Sequence, residues 1–128
     1  MSSPNVDFQF DPTTGCLRVR ALTRSFLFEK ETVFQSIIAA IQSHPVKALF
    51  ADLREVPGLF TFTERYQLGE LAGQHLRGTP IAVLAREEQL DPDRIGRMVA
   101  QNRGANLEIF TEEAAAHAWL QKYLSPSP

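Results

Sequence analysis

Val6, Phe8 and Phe10 alternate with Asp7, Gln9 and Asp11, a period of two that predicts a strand with one buried face. Leu17, Val19 and Ala21 alternate with Arg18 and Arg20 across residues 16–22, and Pro12-Thr13-Thr14-Gly15 between the runs is turn chemistry, so the chain opens with a hairpin. Its polar face sets Asp7 and Asp11 near Arg18 and Arg20. The period then lengthens. Within residues 29–43, Phe34, Ile37, Ile38 and Ile41 form one helical stripe, which His44-Pro45 ends. Residues 46–54, VKALFADLR, read as a short apolar strand running into a Pro57-Gly58 turn. Thr61-x-x-Glu64 is a capping box for a second helix, with Leu68, Leu71, Ala72 and His75 as its stripe and Gly78 as its close. Residues 81–85 are apolar throughout, as in an interior parallel strand. Asp91 is expected to cap a third helix, with Pro92 at its first position, Ile95, Met98 and Val99 buried, and Gly104 at its end. A strand at Leu107–Phe110 follows. Thr111 is expected to cap a last helix, with Glu112 and Glu113 at its positive end and Ala116, Trp119, Leu120 and Tyr123 packed down.

Strands alternating with helices predict an α/β fold: a mainly parallel sheet of about five strands with an N-terminal hairpin and four helices. The 128 residues are expected to form a single domain, residues 1–128, with the tail 125–128 frayed. A net charge of −2 gives no field for a phosphate backbone, so no nucleic acid partner is expected. Cys16 is the one cysteine, which excludes an internal disulfide and suits a reducing compartment. The N-terminus lacks the pattern of a signal peptide, and no apolar run approaches the ~18 residues of a membrane span. A cytoplasmic protein without integral membrane association is the expectation.

Three stretches resemble a known family: LFADLREV at 49–56, TERYQLGELA at 63–72 and QNRGANLEIFTEEAAAHAWL at 101–120. Together they resemble the SpoIIAA-like group of the STAS superfamily, the fold of anti-sigma-factor antagonists. The last stretch is the most specific, with an Asn-Arg-Gly helix end, a short strand and an Ala-rich helix carrying a Trp. The resemblance implies a βα superhelix that works by contact with another molecule. In its regulatory members an acidic residue ends the central strand and a phosphorylatable serine opens the next helix. Asp52 matches the acidic position. The Asp-Ser-Ser-Gly type motif is absent, and VPGLFTFT at 56–63 stands in its place, with Thr61 or Thr63 as the available hydroxyl. The fold group is also similar in shape to CRAL-TRIO lipid-transfer domains, which implies an apolar ligand.

The residues themselves offer little catalytic chemistry. No G-x-S-x-G elbow, P-loop or G-x-G-x-x-G occurs, and His44, His75 and His117 have no metal-ligand spacing. No catalytic residue, metal or cofactor is therefore expected. Glu87-Glu88 and Glu112-Glu113 sit where acids suit turns and helix starts, and Arg94, Arg97 and Arg103 suit a solvated helix face. Two places stand out. Asp52, Arg54, Thr61, Thr63 and Arg65 gather at the end of the central strand as a candidate anion, partner or phosphorylation site. The plainer alternative pairs Asp52 and Arg54 with each other or with Arg65, and leaves Thr61 as a cap. Phe26 and Phe28, with Leu59, Phe60 and Phe62, form the second place: the wall of a small apolar pocket or a partner surface, with core packing as the alternative. The functional expectation is a non-enzymatic regulatory or interaction module acting through protein–protein contact, including pairing with itself. A carrier or sensor of a lipid or other small apolar ligand is the alternative. An enzyme would require a buried, strongly shifted Asp52 facing a histidine.

Overall fold

The structure, a computed structural model, describes residues 5–126. Its strands are β1 (Val6–Asp11), β2 (Cys16–Ala21), β3 (Ala48–Asp52), β4 (Ile81–Leu84) and β5 (Leu107–Phe110). Its α-helices are α1 (Lys30–Ser43), α2 (Phe62–His75), α3 (Ile95–Asn102) and α4 (Glu113–Leu120). One sheet holds all five strands in the order β1-β2-β3-β4-β5, with β1 antiparallel to β2 and the other pairs parallel. This is the expected α/β architecture. No helix among the described residues is long and apolar enough to cross a membrane.

The strand period sorts side chains to two faces. Leu17, Leu49, Ile81 and Leu107 pack with Ile37 of α1, Ala72 of α2 and Ala100 of α3. Ala48, Phe50, Ala82 and Leu84 pack with Ala116 and Leu120 of α4 alone. Crossovers of one hand that each step one strand the same way put their helices on one face, which is where α1, α2 and α3 lie. The hairpin turn is closed by Gly15 at φ 86°, whose amide donates to the Asp11 carbonyl at 2.8 Å. Only glycine holds that angle without strain.

Helices α2 and α3 are pressed together through glycines. A Cβ on Gly69 would lie 2.5 Å from the Gly96 carbonyl oxygen, and one on Gly73 would lie 2.4 Å from the Arg103 Cβ. No such contact joins α1 to α2, which touch only lightly.

Several boundaries differ from the sequence expectation. A 3-10 segment, Arg24–Glu29, precedes α1 and is capped by the Thr23 side chain. β3 is shorter than residues 46–54: the Leu53 amide still donates to the Leu84 carbonyl at 2.8 Å, and the chain turns at Arg54. Helix α2 ends at His75 with Leu76 as its cap, so Gly78 lies in the turn beyond it. Helix α3 begins at Ile95 rather than Pro92. Arg94, at φ 50°, breaks the helical path before it, and the Asp91 carboxylate accepts from the Ile95 amide at 3.0 Å. Within the helix Val99 is buried, whereas Met98 faces outward at 45% exposure. Thr111 does not cap α4: the cap position is Glu112, and a hydroxyl one residue earlier misses the first free amides. Of the expected frayed tail, Ser125 is tied down, its amide donating to the Thr14 carbonyl at 2.9 Å and its hydroxyl meeting Lys47 Nζ. Residues 127–128 lie outside the described residues.

Candidate functional site

The five residues proposed around the central strand end do not converge. Asp52 points to the α4 face, as the parity of β3 requires, and is 2% exposed. Its carboxylate accepts from Arg18 Nη2 at 3.2 Å, and from the Arg54 amide, Nε and Nη2 at 3.0, 3.1 and 2.9 Å. Arg54 also reaches Glu113 at 3.0 Å, and Glu113 meets His117 Nε2 at 3.3 Å. The His117 ring stacks on Phe50, and Arg18 lies over the same ring, 4.5 Å from its centroid. Burial pushes the Asp52 carboxyl up, but the hydrogen bonds from Arg54 and the charges of Arg54 and Arg18 outweigh it and hold it below the usual carboxylate range. A carboxylate so held is a poor proton acceptor, and the histidine of this cluster faces Glu113 rather than Asp52.

Thr61, Thr63 and Arg65 lie on the other side of the sheet. Thr61 and Glu64 complete the expected capping box, with bonds of 3.1 and 2.8 Å. Removing that cap by Thr61→Ala is expected to lower stability by about 1 kcal/mol in urea unfolding; an unchanged midpoint would contradict the cap's role. Thr63 is exposed in the first turn. Arg65 turns under the helix, donating to the Gln89 carbonyl at 2.9 Å and facing Asp91 at 3.5 Å. The cations offered for an anion are therefore already occupied, Arg54 by Asp52 and Glu113, and Arg65 by Gln89 and Asp91. On the hairpin, Arg20 faces Asp7 at 3.7 Å, whereas Arg18 leaves its strand neighbours for Asp52.

The aromatic group separates into two sets. Phe26 and Phe60 are buried and meet edge to face, with ring centroids 6.3 Å apart. Phe28, Leu59 and Phe62 face solvent, Phe28 at 92% exposure, and Phe62 stacks on Tyr66. Phe26 and Phe60 line a cavity of about 160 Å³ between the sheet and α1, α2 and the start of α3, whose walls are almost wholly apolar. Ala51 and Val83 form its floor, while Val33, Phe34 and Leu68 form its helical wall. Ala51 and Val83 stand in interior strands and still are not fully buried, because no side chain fills the space above them. A hydrocarbon floor without donors can hold an apolar molecule and cannot orient a polar one.

Two residues that the sequence reading passed over shape this cavity. Gln89, 2% exposed, donates to the Leu53 and Val56 carbonyls at 2.9 and 3.1 Å and accepts from the Arg86 amide at 2.6 Å. Arg24 donates to the Leu59 carbonyl at 2.7 Å and to both Glu64 oxygens at 2.9 Å. Neither lies in a periodic stripe. The only signal for Arg24 was its place just ahead of Phe26-Leu27-Phe28. A second hollow, between the C-terminal ends of α2 and α3, is polar, and there Arg103 pairs with Glu70 at 3.1 Å. Cations at those helix ends complement the two dipoles.

No protein-family model matches this chain, and no curated protein matches it.

Proposed function

We propose that this chain binds a small, neutral, apolar molecule in the cavity between its sheet and helices α1, α2 and α3, and acts as a carrier or sensor of that molecule. The observation that carries this reading is the apolar space of about 160 Å³ left over the interior strands. Dry apolar cavities of about 150 Å³ take molecules of the size of benzene, whereas sites that enclose drug-sized ligands run to about 300–1,000 Å³. A single ring, or the end of a short acyl chain, is the class that fits. Fluorobenzene is thus expected to bind the protein and raise its melting temperature. Ala51→Leu should abolish that binding while leaving stability equal or up to about 1 kcal/mol higher, since the added carbons enter existing space. Equal binding by wild type and Ala51→Leu would overturn the reading.

The exposure of Phe28, Leu59 and Phe62 favours a second reading, a STAS-type interaction module working by protein–protein contact. Sedimentation of wild type against Phe28→Ser/Phe62→Ser over a range of concentrations tests pairing with a second copy. Association that weakens in the variant supports that pairing, and a monomer throughout excludes it.

A further inference from the structure

The cavity's two aromatic walls are held by segments of unequal anchorage. Phe60 belongs to the loop between β3 and α2. Gln89 and Arg86 fasten that loop from the β4–α3 side: both donate to the Val56 carbonyl, at 3.1 Å each, and Gln89 also donates to Leu53. Phe26 belongs to the 3-10 segment Arg24–Glu29. Among the described residues, Arg24 makes every hydrogen bond that joins this segment to the loop and to α2. Its guanidinium also lies 5.9 Å from the Phe60 ring centroid, above the seam between the two aromatics.

On the opposite side of α2, where the cavity lining continues to Gly96 and Arg97, the glycines press α2 closely against α3. A 3-10 stretch has poorer hydrogen-bond geometry than an α-helix, so this segment is held less firmly by its own backbone. Here it leads into α1, whose own N-cap residue, Glu29, makes no side-chain cap bond.

We propose that the 3-10 segment is a flap over the apolar cavity and that Arg24 is its latch, so that ligand enters and leaves when Arg24 lets go of Glu64 and the Leu59 carbonyl. This rests on the ligand-binding reading given above and names how access to the site is controlled. Phe26 swings with the flap and parts from Phe60, while the loop stays clamped by Arg86 and Gln89. The latch is strong because its bonds to Glu64, from Arg24 Nη2 to both carboxylate oxygens, are charge-assisted.

The test is the exchange rate of fluorobenzene with the full chain, followed by fluorine NMR. Arg24→Ala should speed exchange by about tenfold or more, because the charge-assisted bonds are lost outright. Glu64→Gln keeps a side chain that can complete the capping box. It should speed exchange less, by about threefold, since Gln keeps one oxygen that accepts from Arg24 while its amide nitrogen cannot accept and the opposite charge is gone. Binding to Arg24→Ala but not to wild type would also support the latch, as an entrance shut in the native state. Binding with rates unchanged in both variants would overturn the latch and leave the cavity reading standing. Binding to none of the three would overturn both. If Arg24→Ala fails to fold, the Glu64→Gln rate alone decides: faster exchange supports the latch, and an unchanged rate overturns it.

Discussion

Replacing Asp52 by alanine is expected to lower stability by about 2–3 kcal/mol at neutral pH, read as an earlier urea midpoint. The substitution strips a buried carboxylate from two guanidinium groups and unties the Arg54 amide. Breaking a fully buried pair costs about 3–5 kcal/mol, but Arg18 and Arg54 are partly exposed and water recovers some of the loss. The effect has a pH signature. Burial raises the Asp52 carboxyl, and Arg54 and Arg18 lower it further than burial raises it, so its folded value lies below that of the unfolded chain. A depressed carboxyl contributes fully above the unfolded value of about 3.9 and loses its contribution as pH falls through the folded value. The gap between wild type and Asp52→Ala should therefore hold from pH 7 to about 5 and close at lower pH. Glu64 and Glu113 are also depressed in the native protein, so both chains lose stability in acid. A gap unchanged below pH 3 would show that the carboxylate's charge is not what stabilises this cluster.

Gly69→Val is expected to cost about 3 kcal/mol or more. Its Cβ would sit 2.5 Å from the Gly96 carbonyl oxygen and 3.0 Å from the Val99 Cβ, and a backbone oxygen has no rotamer by which to yield. Alanine would recover about 1 kcal/mol of helix propensity at such a site, but a β-branched side chain recovers less. The comparison is Gly78→Ala, where an added Cβ meets nothing within 4 Å and stability should change by less than about 0.5 kcal/mol. Equal effects at the two positions, in thermal or urea unfolding, would mean that the helices separate freely.

What the sequence made legible follows what is local. Alternation at Val6–Asp11 and the stripe of Phe34, Ile37 and Ile41 depend on one element at a time, and the Thr61–Glu64 box closes within four residues. The misplaced boundaries have local causes that a pattern does not carry. Asp91 does reach a free amide, but after a turn through a left-handed Arg94, which no periodicity announces. The candidate site depended on which face each residue takes. Asp52 and Arg65 are thirteen positions apart and look like neighbours on paper, yet the sheet stands between them. Phe26 and Phe28 differ by two positions, one buried against Phe60 and the other turned to water, because residues two apart on a helical turn face opposite sides. The cavity itself is a space between elements, and no run of residues encodes it.

The order of strands along the sheet repeats the order of strands along the chain without a single exchange. Each new strand therefore docks on the one made just before it, across a hairpin turn for β2 and across a helix and its turns for the others. Loop closure is cheapest for such near neighbours, and chains rich in short-range pairings fold faster than those that must join distant ends. The sheet has a built-in direction of growth, from the hairpin outward to β5. A chain emerging from its N-terminus can lay down β1 to β3 while the residues of α3 and β5 are still to be added.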